Sequence, residues 1–105
     1  MNAETLAEEW GGILGGSNAL RRIVYTEALK AAFTAGRLNT RALAHKLYKT
    51  TEHKVERKVR RYIKELVDKK ILQKRRDGFG GSWYYEPTDW FRALLIETYK
   101  VLRRL

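Results

Sequence analysis

One segment, residues 52–69, constrains the fold more than any other, because its apolar and basic residues separate onto opposite sides of a helix. At about 100° of rotation per residue, an arc of roughly 100° collects the apolar side chains Val55, Val59, Tyr62, Ile63 and Leu66. An arc of about 80° on the opposite side collects the basic side chains Lys54, Arg57, Arg61 and Lys64. We therefore predict a long helix that packs on a core with one face and presents cations with the other.

The net charge of the chain is concentrated around this helix. The protein has 105 residues and a formal net charge of +10. Residues 41–76 hold fourteen basic and four acidic side chains, whereas the segments before and after them each hold four of either sign. A basic surface kept only for solubility would be spread more evenly, so this block favours a polyanionic partner.

Length and composition exclude several classes of protein. With 105 residues, 44% of them apolar, the chain has the size and core content of one folded domain. The absence of cysteine excludes disulfides, thiolate chemistry and cysteine-based metal sites. The sequence has no run of about 18 apolar residues, and Glu4, Glu8 and Glu9 occupy positions where a secretory signal is basic. We therefore expect a cytoplasmic protein.

Two further helices are predicted before the basic one, over residues 19–35 and 41–48. Ser17 or Asn18 is expected to cap the start of the first helix, and Gly36 to end it. Asn39 or Thr40 is expected to cap the second helix. Thr50 and Thr51 are expected to cap the start of the basic helix. Leu38 is the predicted start of a short strand. A short helix, a tight turn and a long basic helix thus follow one another.

The N-terminal residues 1–17 are predicted to be a flexible or partly docked appendage. A short helix is expected over residues 3–10, and the glycine-rich run 11–16 is interpreted as a linker. A phosphate-binding loop is not indicated, because the Gly-Lys-Ser/Thr ending of such loops is missing.

Residues 71–76 and 83–86 predict two strands joined by a glycine-rich turn, and a last helix over residues 89–105 follows. Pro87 is expected to stop the second strand and Thr88 to cap the helix. Most of the aromatic area of Trp83, Tyr84 and Tyr85 is assigned to the core. Phe79 lies between glycines and cannot reach that core, so it is expected to be exposed or in contact with a partner.

The order helix, helix, helix, hairpin, helix, with basic residues on the third helix and the hairpin, resembles the winged helix-turn-helix family of DNA-binding domains. The resemblance covers residues 18–105 and implies a mostly helical α+β fold with a three-helix core, a two-stranded wing and a C-terminal helix. The domain proper would span residues 18–87, and the C-terminal helix 88–105 would pack on it. Residues 52–69 would then be the recognition helix.

A helix of this kind fits the major groove, where Arg and Lys can read base edges. We expect base contacts from the start of the helix, by Thr51, His53, Lys54 and Arg57. Phosphate contacts are expected from Arg41, Lys58, Arg61 and Lys64, and the wing residues are Lys74, Arg75, Arg76 and Phe79. A solvated helix face, and strand charges that only discourage edge pairing, are the alternatives.

The favoured function is binding of double-stranded DNA as a transcriptional regulator. A nucleoid or replication-associated protein that coats duplex without sequence preference is one alternative, and a basic module for RNA or an acidic protein is another. An enzyme is not expected, because no serine is placed beside a base and His45 and His53 lack carboxylates at metal-ligand spacing. No metal, cofactor or small-molecule ligand is expected.

The last helix carries more apolar residues than one core contact needs. An arc of about 140° holds Trp90, Phe91, Leu94, Leu95, Val101, Leu102 and Leu105, which are assigned to the core, while Ile96 and Tyr99 lie outside it. A homodimer interface formed by Leu95, Ile96, Tyr99 and Leu102 is therefore expected, with a monomer as the alternative. The low content of Asn and Gln, the lack of Cys and 32% charged residues favour a thermophilic or archaeal source.

Overall fold

The computed structural model describes residues 2–34, 36–49 and 53–104. These residues form five helices and two strands in the order α1 (Ala3–Gly15), α2 (Ala19–Thr34), α3 (Thr40–Tyr48), α4 (His53–Asp68), β1 (Leu72–Arg76), β2 (Trp83–Pro87) and α5 (Asp89–Arg104). The expected mostly helical α+β class is confirmed. The predicted capping pair Thr50 and Thr51, before α4, lies outside the described residues.

The core forms where α2 and α4 pack against each other and against the start of β1. Its most enclosed side chains include Tyr25, Leu29, Val59, Ile63, Leu66 and Leu72, each exposed by no more than 1%. On α4 the buried apolar residues are Val59, Tyr62, Ile63 and Leu66, while Val55 is half-buried. The core face predicted for the basic helix is therefore confirmed.

Side-chain caps fix the starts of four helices, the first of them α1, where the Oδ1 of Asn2 accepts a hydrogen bond from the Thr5 amide at 2.8 Å. The Oδ1 of Asn18 accepts a hydrogen bond from the Arg21 amide at 2.9 Å, and the Oδ1 of Asn39 accepts one from the Ala42 amide at 3.0 Å. The Oγ1 of Thr88 accepts one from the Phe91 amide at 3.1 Å. Each bond satisfies an amide that has no partner within its helix, so the sequence positions of the caps set where α1, α2, α3 and α5 begin.

The two strands form an antiparallel hairpin whose register runs from Leu72 opposite Pro87 to Arg76 opposite Trp83. The strand expected at Leu38 is present as a single bridge to Tyr85, with both backbone hydrogen bonds at 2.7 Å. This bridge joins the segment between α2 and α3 to the hairpin.

The interpretation of residues 11–16 as a linker is wrong, because α1 continues through Gly11 and Gly12 to Gly15. Ala7, Gly11 and Gly15 recur every four residues and are buried against α2. A Cβ on Gly11 would collide with Thr26 Oγ1 and lie 2.9 Å from Thr26 Cα, and one on Gly15 would lie 2.5 Å from Arg22 Cα. The glycines therefore permit close helix packing rather than flexibility.

An ion pair at the far end of α1 adds to this packing. The Nζ of Lys30 lies 3.2 Å from Glu4 Oε1. The hydrogen bond to Glu4 raises the pKa of Lys30 above its ordinary value, against the opposing effect of desolvation. The cationic form of Lys30 thus helps to hold α1 on α2.

The assignment of α5 to the core was correct only in part. Phe91 and Leu95 are buried, and Leu105 lies outside the described residues. Four other residues assigned to the core are exposed by 45% to 59%, namely Trp90, Leu94, Val101 and Leu102. The side that faces the core runs through Phe91 and Leu95, and Trp90, Leu94 and Val101 lie on average about 100° away from it around the helix.

Candidate nucleic-acid interface

The outward face of α4 carries the basic residues predicted for it. His53, Lys54, Arg57, Lys58, Arg61 and Lys64 are all exposed. Among the described residues, none of these side chains forms an ion pair with a carboxylate. The residues expected at bases and at phosphates thus lie on one helix surface, except Thr51, which is outside the described residues, and Arg41, which is on α3.

The two glutamates of α4 within the described chain are engaged on the flanks of this face. Glu65 accepts from Arg21 and from the hydroxyl of Tyr25, at 3.2 Å in each case. Glu56 is buried, accepts from Arg60 at 3.0 Å, and lies 3.9 Å from Arg41. Their negative charges are directed at these partners, so that of the described carboxylates of α4 only Asp68, at the last position of the helix, is exposed on the outward face.

Arg61 is oriented by its neighbour on the same helix. Its guanidinium carbon lies 5.3 Å from the ring centroid of Tyr62, and its Nη2 donates to the Tyr62 hydroxyl at 3.5 Å. The hydroxyl also accepts from Asn18 at 3.1 Å. The hydrogen bond from Arg61, followed by that from Asn18, lowers the pKa of Tyr62 below its ordinary value.

A groove of about 440 Å³ lies between the start of α3, the side of α4 and the hairpin. Arg41, Arg60 and Lys74 bring positive charge to it from these three elements, around the carboxylate of Glu56. Arg60 also lies on the flank of α4 beside its outward face. The groove therefore connects the basic face of α4 with the basic face of the hairpin.

Trp83 belongs to this surface and not to the core, which corrects the expectation for its aromatic area. It is 49% exposed. Lys74 Nζ and the guanidinium of Arg76 lie 4.8 and 5.2 Å from its ring centroid. The register places Arg76 opposite Trp83 on one face of the sheet. Tyr85, on that same face, does pack against the core.

The other face of the hairpin is tied to the body of the protein. Arg37 Nη1 donates to both carboxylate oxygens of Asp77, at 3.0 and 3.1 Å, and its guanidinium lies 4.2 Å from the ring centroid of Tyr84. Arg75 Nε donates to Glu86 at 2.8 Å. Arg75 is thus partly neutralised, whereas Lys74 and Arg76 face the surface that holds Trp83. At the tip, Phe79 is fully exposed, as expected.

Sequence reasoning missed two residues of this surface, Trp83 and Arg60. Trp83 was missed because aromatic residues in strands usually belong to the core. Its position opposite Arg76 in the hairpin could have indicated that its ring contacts a cation. Arg60 was missed because the groove is formed by elements distant in sequence.

The described part of the chain contains no helix long and apolar enough to cross a membrane. It also contains no group of three His, Asp or Glu side chains that could hold a metal ion. The chain matches no protein-family model, and the comparisons with curated proteins and with solved structures found no similar protein.

Proposed function

We propose that this protein binds double-stranded DNA with the outward face of α4 in the major groove and acts as a transcriptional regulator. The observation that carries the proposal is the segregation of charge on α4. Its described glutamates are used for contacts with Arg21, Tyr25, Arg41 and Arg60, while Lys54, Arg57, Lys58, Arg61 and Lys64 face solvent. Mutual repulsion of these cations is offset when they neutralise phosphates.

The arrangement of elements supports a winged helix-turn-helix assignment. Helices α2, α3 and α4 are followed by the hairpin and α5, and the bridge from Leu38 to Tyr85 attaches the hairpin beside the start of α3. Asn39 caps α3 and donates through Nδ2 to the Trp83 carbonyl at 3.2 Å. The hairpin is thereby held next to the helix pair, as a wing would be.

Within this proposal the residues divide by their position along α4. His53, Lys54 and Arg57 lie in the first two turns and would meet base edges. Lys58, Arg61 and Lys64 would neutralise phosphates, together with Arg41. Lys74 and Arg76 would follow the backbone or the minor groove from the wing.

Selection from a random duplex pool at physiological salt tests the regulator directly. A strongly enriched site is the expected result. Binding that grows with DNA length but enriches no sequence would favour the coating protein instead. If about six phosphates are neutralised, log K should fall with a slope near −5 against log salt. If log K does not change with salt concentration, duplex DNA is not the main partner.

Two variants on α4 distinguish a protein that recognises a DNA sequence from one that coats duplex without sequence preference. Arg57→Ala should cost about 1 to 3 kcal/mol on the preferred site and far less on random duplex, because it removes a base contact. Lys64→Ala should weaken both alike and reduce the salt slope by about one unit. Lys100→Ala, an exposed cation on α5, is the matched control and should leave both affinities unchanged. Equal losses on both DNAs for Arg57→Ala would contradict the regulator.

We further propose that the regulator is a homodimer joined through α5. The exposed residues Ile96, Tyr99 and Leu102 support this proposal. Leu95, which was expected at the interface, is 7% exposed in the single chain and is therefore a core residue.

A further inference from the structure

The tip of the hairpin presents one isolated aromatic side chain. Phe79 lies in the four-residue turn that joins the strands beyond Asp77 and Ser82, and the other residues of that turn are Gly78, Gly80 and Gly81. Its exposure of 110% means that it packs on none of the residues that the structure describes. A role in folding would not require a phenylalanine here, since exposed apolar surface contributes nothing to the core.

The turn beneath Phe79 is braced on several sides. The Asp77 amide donates to the Ser82 carbonyl at 3.3 Å, and Arg76 Nε donates to the Gly81 carbonyl at 2.8 Å. Arg37 holds the Asp77 carboxylate from outside the hairpin, at 3.0 Å. The base of the turn is therefore fixed, and the phenyl ring is held away from the body of the protein.

The glycines keep this tip narrow. Gly78 and Gly80 have φ values of 56° and 85°, a conformation that side chains rarely adopt. A Cβ on Gly81 would collide with the Asp77 carbonyl oxygen. Phe79 is thus the one side chain at the tip, with no neighbouring side chain to block its entry into a narrow space.

We propose that Phe79 is a wedge that inserts from the minor groove between two base pairs of the duplex bound by α4, unstacking them and bending the DNA. This inference rests on the proposed function. A phenyl ring has no hydrogen-bonding group to read a base edge or to hold a phosphate, but its flat face stacks on bases. Lys74 and Arg76 on the strand below supply the charge that holds the flanking phosphates, and the minor groove is about 6 Å wide, which suits a tip with a single side chain.

Insertion has two measurable consequences for the DNA. The duplex bends, so the distance between fluorophores at its two ends shortens when the protein binds. The unstacked step also untwists, so closed circular DNA relaxed by a topoisomerase in the presence of protein changes its linking number. Both readouts are independent of affinity when the DNA is saturated.

The test compares the parent protein with Phe79→Ser and Phe79→Leu, and with Ser82→Ala as a control at the same turn. Phe79→Ser should keep the salt slope but abolish bending and untwisting, and should lose about tenfold in affinity. Phe79→Leu should retain most of the bend, because an aliphatic side chain also wedges. The control Ser82→Ala should behave as the parent, because only its exposed side chain is removed.

Three outcomes would overturn the inference. If the parent protein binds duplex with the expected salt slope but leaves it straight and fully wound, Phe79 does not act as a wedge. The proposed function would still stand. If the Phe79→Ser variant bends DNA as the parent does, Phe79 is not the side chain that bends it. A parent protein that does not bind duplex at all would remove the proposed function itself and this inference with it.

Discussion

Two adjacent glycines in α1 show how the role of a residue depends on what its missing side chain would meet. Gly11 faces Thr26 on α2, and an added Cβ would come 2.9 Å from the Thr26 Cα, a backbone atom that cannot rotate away. Gly12 is the next residue of the same helix, and an added Cβ there would meet nothing within 4 Å. The two positions share a helical backbone and differ in packing alone.

Opposite effects are therefore expected from the same substitution at these positions. Gly11→Ala should lower the free energy of unfolding by about 1 to 3 kcal/mol, because the helices must move apart. Gly12→Ala should raise it by up to about 1 kcal/mol, because alanine loses less backbone entropy in a helix. Urea unfolding of both variants measures the difference. Equal shifts would contradict the close packing of α1 on α2.

At the scale of elements, Asn39 connects α3 with the hairpin. Its Oδ1 caps α3, and its Nδ2 donates to the Trp83 carbonyl. The cap and the bridge from Leu38 to Tyr85 lie side by side in the chain. The start of α3 and the placement of the wing thus depend on neighbouring residues.

Asn39→Ala should destabilise the protein by about 0.5 to 2 kcal/mol, because it removes the cap. Asn39→Asp should recover most of this loss, since its carboxylate still accepts from the helix amide and suits the positive end of the helix dipole. It cannot donate to the Trp83 carbonyl, so faster amide exchange of the hairpin should remain. Thermal unfolding and hydrogen exchange measure the two effects separately. Equal destabilisation by both substitutions would show that Asn39 does not act as a cap.

The helices predicted well from the sequence are those in which the apolar period and the capping residues indicate the same boundaries. The 3.6-residue pattern of α4 and the caps Asn39 and Thr88 are local properties, and they placed these helices correctly. The path of α1 was missed because the glycine content of residues 11–16 was weighed without its four-residue spacing. Packing against α2 outweighs the low helix propensity of glycine, and that is a tertiary effect.

The residues of the candidate site also fall into two groups, those that a local sequence pattern indicates and those that only tertiary packing brings together. The cations of α4 could be located from helical periodicity, because a face opposite the core must be exposed. The ion pair of Glu56 with Arg41, and the groove beside it, join residues on different elements. The packing of α3, α4 and the hairpin creates that groove, so no local pattern of the sequence indicates it.

At the scale of the whole molecule, α5 carries apolar side chains that remain exposed in the described part of the chain. Trp90, Leu94 and Val101 lie along one flank of its buried side, and Ile96 and Tyr99 lie along the other. The helix has 16 residues and is about 24 Å long. A second copy is the partner we propose, because one straight apolar helix can pair with its own copy about a two-fold axis.

A two-fold dimer that reads one face of the DNA needs its two α4 helices at half-sites about 34 to 36 Å apart. Ile96→Glu should convert the dimer to a folded monomer in analytical ultracentrifugation, because the interface would bury an unpaired carboxylate. Leu95→Glu should instead unfold the protein, because Leu95 is in the core. Glu97→Gln, on the same helix at a 71% exposed side chain, is the control and should remain dimeric. A parent protein that sediments as a monomer at all concentrations would remove the interface, and a palindromic site would then no longer be expected from its symmetry.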